Sequence, residues 1–361
     1  MPVTVGPAWP PTQTSMQPFR CSRCETPVFF ENDHCGHCGA ALGFVPALGR
    51  MLAFDTTWQP YGGGPALQAC ANRAAHGICN WMLDADDPAP LCRSCCLTRV
   101  MPALSEGRNL DRWRAIEQAK RRLIFTLLGM GLAPQPKTGP DDADGLDFLL
   151  LETQAGQPPV RTGHDRGTIT LDVAEADDEQ RELQRVHFAE PTRTLLGHLR
   201  HEAAHYLQYR WLRGSAAAEA CRASFGDERI DYATALARHY AEGPPADWPQ
   251  RFVSAYASAH PWEDWAETCA HVLLVLDAVQ TAAAWGLSLD GPADAAPTAQ
   301  NLNDSPPVAE LALRQWLPVA QFLNAMHRSL GQRDSYPFLL PPGVLDKMST
   351  VQRLLKEASG A

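Results

Sequence analysis

Between Asn109 and Gly129 the side chains Trp113, Ile116, Lys120, Leu123, Ile124, Leu127 and Leu128 recur every three or four positions, the spacing that sets one face of an α-helix against a core. Asn109 or Asp111 can cap its start and Gly129 can end it. The next stretch, LAPQPKTGPDDADG at 132–145, is a loop by its prolines, glycines and acids. From Gly167 to Glu175 the period changes: Ile169, Leu171 and Val173 alternate with polar residues, as in a half-buried strand. Helical order returns over 190–214, EPTRTLLGHLRHEAAHYLQYRWLRG, with Pro191 in the first turn, where it is tolerated, and Gly214 as the stop. A further helix starts at Pro261 and another fills much of 307–330. Between them SLDGPADAAPTAQNLNDSPP, 288–307, reads as a flexible surface linker.

Upstream of residue 100 no such periodicity holds. Residues 1–19, rich in Pro, Thr and Gln, read as a disordered leader. Residues 20–100 have few long apolar runs, yet hold eight of the eleven cysteines between Cys21 and Cys95 in spaced pairs. Cys21-x2-Cys24 and Cys35-x2-Cys38 are two knuckles that together make a closed, structural four-thiolate zinc site. Cys70, Cys79, Cys92 and Cys95 contain one C-x2-C pair at wider spacing and form a second candidate structural zinc site. His34 and His37 stand beside the first set; His76 and Cys96 are rival ligands for the second. Such a module is expected to be held by metal and not by a core. Cys96, Cys221 and Cys269 are left as free thiols.

A chain of 361 residues with 45% hydrophobic residues can bury a sizeable core and divide into two or three domains. No apolar run approaches the roughly 20 residues that span a bilayer. The start lacks the basic and apolar regions of a signal peptide, so the expectation is a cytoplasmic protein with no membrane partner, where thiols bind metal in preference to pairing as disulfides. The net charge of −10 argues against nucleic acid and anionic membrane as partners. The first 100 residues carry six Arg, no Lys and seven acids, and eight thiolates on two zinc ions add four negative charges. An acidic ribbon suits a protein partner or substrate recruitment better than nucleic acid.

The chemistry centres on His201-Glu202-Ala203-Ala204-His205. On a helix at 100° per residue the two imidazoles project from one face about a turn apart and can close on one ion. Zinc takes neutral imidazole readily, and a catalytic site keeps three protein ligands with the fourth position left for water. Glu202 beside that pair can act as general base toward the water, whose pKa the metal lowers to about 7. Random placement would give HExxH in roughly one such sequence in fifty, so context has to carry the assignment. HPWEDWAE at 260–267 supplies the best downstream carboxylates: Pro261 starts a helix, Glu263 sits in its first turn and Glu267 one turn later on the same face. Glu263-x-x-Ala-Glu267 resembles the E-x-x-A-D/E segment of several gluzincin families, which implies Glu263 as the third zinc ligand and Glu267 as the acid supporting a ligand histidine. His198 shares the face of His201 and reads as a supporting or rim histidine. Tyr232, His239, Tyr240, Tyr256 and His260 are candidates to stabilise an oxyanion. The strand at 167–175 lies just ahead of the site helix, where zincin folds place an edge strand that pairs with extended substrate.

The order of motifs resembles the bacterial family of predicted zinc-binding metallopeptidases that carry an N-terminal zinc ribbon. The resemblance rests on the paired CxxC knuckles, GICNW at 77–81, LCRSCCLTRVMP at 91–102, RTLLGHLRHEAAHY at 193–206, FGDERIDYATALARHYAEGPPADW at 225–248, AYASAHPWEDWAET at 255–268 and YPFLL at 336–340. Where relatives have Gly before the second histidine and aromatic residues after it, this chain has Ala204 and YLQYRW. Alanine keeps the helix and so the metal site; the pocket beside it is where a difference is expected. The resemblance implies an α+β fold: a mostly helical zincin-like metallopeptidase domain over 101–361, behind a ribbon module over 20–100. It implies peptide-bond hydrolysis with one catalytic and two structural zinc ions. The competing expectation is a catalytically weak or inactive scaffold that binds a protein partner through its ribbons.

Overall fold

The computed structural model describes residues 18–359 apart from 106, 188–189, 191–192, 213–215, 299–301 and 303. Most of the expected leader, the helix-starting Pro191 and the stop at Gly214 lie outside the described residues. Phe19, assigned to the leader on composition, is instead buried in a strand.

The cysteine-rich region is three antiparallel strand pairs: β1 (Phe19–Arg20) with β2 (Pro27–Val28), β3 (Ala41–Val45) with β4 (Arg50–Phe54), and β5 (Leu67–Ala69) with β6 (Met82–Asp84), with the short helix α1 (Ala71–His76) between the last two. It buries an aromatic core continuous with that of the rest of the chain, which the scarcity of apolar runs did not announce. Phe30, Phe44 and Trp81 pack ring against ring, with centroids 5.0–6.2 Å apart, and Phe125 from the next helix joins them. That helix, α2 (Asn109–Gly129), buries every residue of the predicted apolar stripe, Lys120 included. Asn109 does not cap it; its amide donates to the Ala103 carbonyl and to Glu152, and the chain turns at Gly131 in the left-handed region.

Strand β7 (Thr98–Val100) leaves the ribbon and pairs parallel with β8 (Asp147–Leu151); β10 (Thr168–Asp172) pairs parallel on the other side of β8, and β9 (Gly163–Asp165) closes the sheet as a hairpin with β10. The predicted strand is therefore shorter, ending at Asp172, and interior; the sheet edge on the site side is β9. The β9–β10 turn is Arg166-Gly167, both at positive φ, the two-residue loop that matches the twist of a hairpin. A Cβ at Gly167 would come 2.4 Å from the Gly145 carbonyl, so the 132–145 loop can dock there only on glycine.

The remaining chain is helical: α3 (Asp178–His187), α4 (Leu195–Leu212), α5 (Ala216–Phe225), α6 (Tyr232–Glu242), α7 (Trp248–Arg251), α8 (Pro261–Ala284), α9 (Val308–Leu311), α10 (Leu317–Ser329) and α11 (Pro342–Ala358). A turn of π-helix, Ala312–Trp316, joins α9 to α10. The segment read as a flexible linker is anchored where it is described: Leu289 and Ala295 bridge, and Leu302 is buried. The central helix α4 packs against α8 on one side and α2 on the other. Ala203 and Ala204 are fully buried, and the Trp265 indole of α8 donates to the Ala204 carbonyl at 2.9 Å. Small residues there let the two helices close up. Arg200 and Asp277 form a buried pair across the same interface, 2.6 Å apart. No helix among the described residues is long and apolar enough to cross a membrane.

Where the ribbon meets α2, Lys120 and Glu117 form a fully buried ion pair at 2.8 Å, with Trp113 Nε1 and Thr98 Oγ1 also donating to Glu117. Removing one partner strands a buried charge. Lys120→Met should therefore cost about 3–5 kcal/mol in denaturant unfolding, and a loss under about 1 kcal/mol would show that Glu117 readily finds other donors or a proton.

Candidate metal centres

Each knuckle of the first cysteine set closes with a left-handed residue, Glu25 or Gly39, whose backbone N–H donates to the carbonyl of the first cysteine at 2.8 and 2.9 Å. The repeated turn brings Cys21, Cys24, Cys35 and Cys38 into one cluster, with Cys21–Cys38 and Cys24–Cys35 sulfurs 3.7 and 3.6 Å apart. Sulfurs at 2.3 Å from a tetrahedral zinc would stand about 3.8 Å from one another. Cys70, Cys79, Cys92 and Cys95 form a second cluster, wholly buried, with Cys79 and Cys92 sulfurs 3.7 Å apart. Backbone N–H groups of Trp81, Cys92 and Cys95 donate to its sulfurs at 3.4 Å, and the Arg121 charge favours the Cys79 thiolate. The rivals face elsewhere: His76 packs on Trp113, Cys96 donates to the Arg93 carbonyl and His34 pairs with Asp33.

The third cluster joins α4 to α8. One turn of helix separates His201 from His205 and sets their Nε2 atoms 3.2 Å apart. Pro261 starts α8 and the His260 ring caps it, accepting from the Trp262 N–H, so Glu263 projects from the first turn with one oxygen, Oε2, 3.1 Å from His201 Nε2 and 3.5 Å from His205 Nε2. An ion with tetrahedral bonds of 2.0–2.1 Å would need these atoms about 3.3 Å apart. The second donor atoms of Glu263 and His201 are taken. Tyr232 O–H donates to Glu263 Oε1 at 2.8 Å, and His201 Nδ1 donates to Glu267 Oε1 at 2.7 Å, while Ser254 donates to Glu267 Oε2. What remains is two imidazole lone pairs and a buried carboxylate oxygen with no hydrogen-bond partner, Glu263 Oε2. Burial opposes a charge on His201, yet the Glu263 and Glu267 carboxylates raise its pKa well above the ordinary value. Without an ion a proton on that ring answers the two carboxylates, and a cation bound there would take its place.

Glu202 is buried beside these atoms with Oε2 lacking a partner. Burial disfavours its charge, but His198, His201 and His205 outweigh it and hold its pKa down at about 2. His198 is not among the converging atoms; its Nε2 lies 3.4 Å from Glu202 Oε1 and its Nδ1 donates to Glu175 Oε2 at 2.5 Å. Burial lowers its pKa, but the two carboxylates win and raise it to about 9. Among the oxyanion candidates, His260 is committed on both nitrogens, its Nε2 donating to the Ile230 carbonyl. Tyr256 stands with its ring 6.1 Å from that of His201 and 6.2 Å from that of His239, whereas Tyr240 is exposed.

Three residues beside the cluster escaped sequence reasoning. Glu175 and Ser254 reach it only through tertiary contact. His164 sits on edge strand β9, its ring 6.4 Å from that of His205, and accepts from the Gly167 N–H at 2.9 Å. Burial and His205 hold it neutral, near pKa 4. Its place in a strand of three residues left no periodic signal.

A zinc-ribbon domain family matches the chain over residues 18–106, and a family described as "Putative zinc-binding metallo-peptidase" matches over 109–354. Uncharacterized proteins of Mycobacterium bovis and Mycobacterium tuberculosis are each 42% identical over 351 residues, covering 95% of this chain and 96% of theirs. No solved structure matches.

Proposed function

Because this chain belongs to the zinc-binding metallopeptidase family that matches it over residues 109–354, behind a zinc-ribbon domain, we propose that it hydrolyses peptide bonds at a zinc site of His201, His205 and Glu263, with Glu202 as general base. The observation that carries this reading is the convergence of His201 Nε2, His205 Nε2 and Glu263 Oε2, with the other donor atoms of His201 and Glu263 held by Glu267 and Tyr232, beside a buried and unpartnered oxygen of Glu202. A zinc ion held there would supply Lewis acidity, activating a water and polarising a peptide carbonyl. Glu202 accepts a proton from the attacking water and returns it to the leaving amine. Glu267 fixes His201 with Nδ1 protonated, so that Nε2 presents its lone pair. Tyr256, whose ring stands 6.1 Å from that of His201, is better suited to an oxyanion developing at the centre than Tyr232, whose proton is already given to Glu263 Oε1. The substrate is a peptide or protein, and the ribbon is the element suited to hold a protein partner.

The two cysteine clusters each take one structural zinc in this reading. The purified chain should contain close to three zinc ions. Under chelation the open histidine site should empty first with the fold intact, and loss of ribbon zinc should unfold the N-terminal module. Elemental analysis finding no more than one metal would overturn the two structural sites. An unbiased peptide-library digest by zinc-loaded protein, abolished by removal of the first zinc, tests the activity.

A further inference from the structure

We propose that His198, held by a hydrogen bond to Glu175, is a positioning residue for Glu202: its second nitrogen, in ion-pair range of Oε1, fixes which oxygen of the base faces the metal centre. The inference rests on the reading of Glu202 as general base. His198 Nδ1 is 2.5 Å from Glu175 Oε2 and its Nε2 is 3.4 Å from Glu202 Oε1, one helical turn along α4. Both nitrogens face carboxylate oxygens, so both serve as N–H donors; a lone pair on either would be aimed at negative charge. Glu175 is itself anchored, for its Oε1 accepts from Thr162 Oγ1 and Arg193 lies 3.8 Å away. It belongs to the short helical turn Val173–Ala176 that follows β10 and packs against α2. The clamp thus ties the base on α4 to the sheet.

Its consequence is selective. With Oε1 of Glu202 turned to His198, Oε2 is the oxygen left without a partner. The clamped side chain no longer samples the rotamers open to a free glutamate, and a base misplaced by about 1 Å loses about 10²-fold in rate. His198 does not compete as a ligand: Nδ1 is hydrogen-bonded to Glu175, Nε2 faces Glu202, and its ring stands 6.3 Å from that of His201.

The test is a double-mutant cycle on the zinc-loaded full chain. His198→Ala should lower kcat by about 10- to 10²-fold with KM and zinc content near wild type, and His198→Gln, which keeps one donor, should recover part of the loss. In a Glu202→Gln background His198→Ala should cost nothing further, since no base remains to be positioned. An equal fold-loss in both backgrounds would overturn the proposal in favour of a purely structural role. If the wild type cleaves nothing, the peptidase reading is what fails, and the clamp is then read by side-chain 15N NMR. Both His198 nitrogens should carry protons near neutral pH, with Nε2 the one that shifts in Glu202→Gln; a lone pair on either nitrogen of the wild type overturns it.

Discussion

Glu202→Gln is expected to leave zinc content and thermal stability near wild type while cleavage falls by about 10²- to 10⁴-fold. The carboxamide matches the carboxylate in shape and can still accept from His198, which keeps Glu175 as its ionic partner. None of the three candidate ligand atoms is removed. What disappears is the ability to take a proton from water and hand it to the amine, and a base that serves both steps costs more than one that serves a single step. Paired with a peptide-library digest, the variant separates three cases. Equal cleavage by both proteins would assign the activity to a contaminant or another base. A wild type that cleaves nothing at full zinc occupancy would move weight to a scaffold that binds a protein partner through its ribbons. A wild type silent on peptides but active on one folded protein would make the ribbon the substrate selector.

The sequence carried the site further than it carried the fold around it, for a physical reason. HEAAH lies on one helix, so spacing alone places two imidazoles on one face, and Pro261 marks the start of the helix that presents Glu263 and Glu267. Their closure on His201 across α4 and α8 is tertiary, but the two acids are one turn apart and had to share whichever face they met. The C-x2-C knuckles were legible in the same way, as local turns repeated. Glu175, Ser254 and His164 were not, because they reach the site from a short helical turn, a loop and a three-residue strand, whose positions only the tertiary fold sets. Sheet order was hidden too: Ile169 and Leu171 alternate as a half-buried strand should, yet nothing local says that β8 lies on one flank and β9 on the other. The ribbon's aromatic core escaped notice because Phe30, Phe44 and Trp81 come from separate short strands and turns and meet one another, and Phe125 of α2, only in the folded chain.

Glu263→Gln should empty the histidine site of most of its zinc, whereas Glu267→Gln should weaken affinity about 10- to 100-fold and refill in excess metal. The difference follows from what each carboxylate faces. Glu263 turns Oε1 to the Tyr232 hydroxyl and Oε2 to both imidazole lone pairs. An amide there would keep its oxygen toward Tyr232 and aim its NH2 group at His201 and His205, filling with hydrogen bonds the space a cation needs and removing the charge that favours it. Glu267 stands one layer out. Its amide oxygen can still accept from His201 Nδ1, and Ser254 can rotate its hydroxyl to accept from the NH2 group, so the ring keeps its orientation and loses only the basicity a full negative charge lends it. Zinc per chain after dialysis against a graded chelator reads both variants, with the two cysteine sites as an internal standard that neither substitution should disturb. Should Glu267→Gln lose the metal and Glu263→Gln keep it, the ligand on α8 is Glu267, and the hydrogen bond from His201 Nδ1 to it would have to give way when zinc binds.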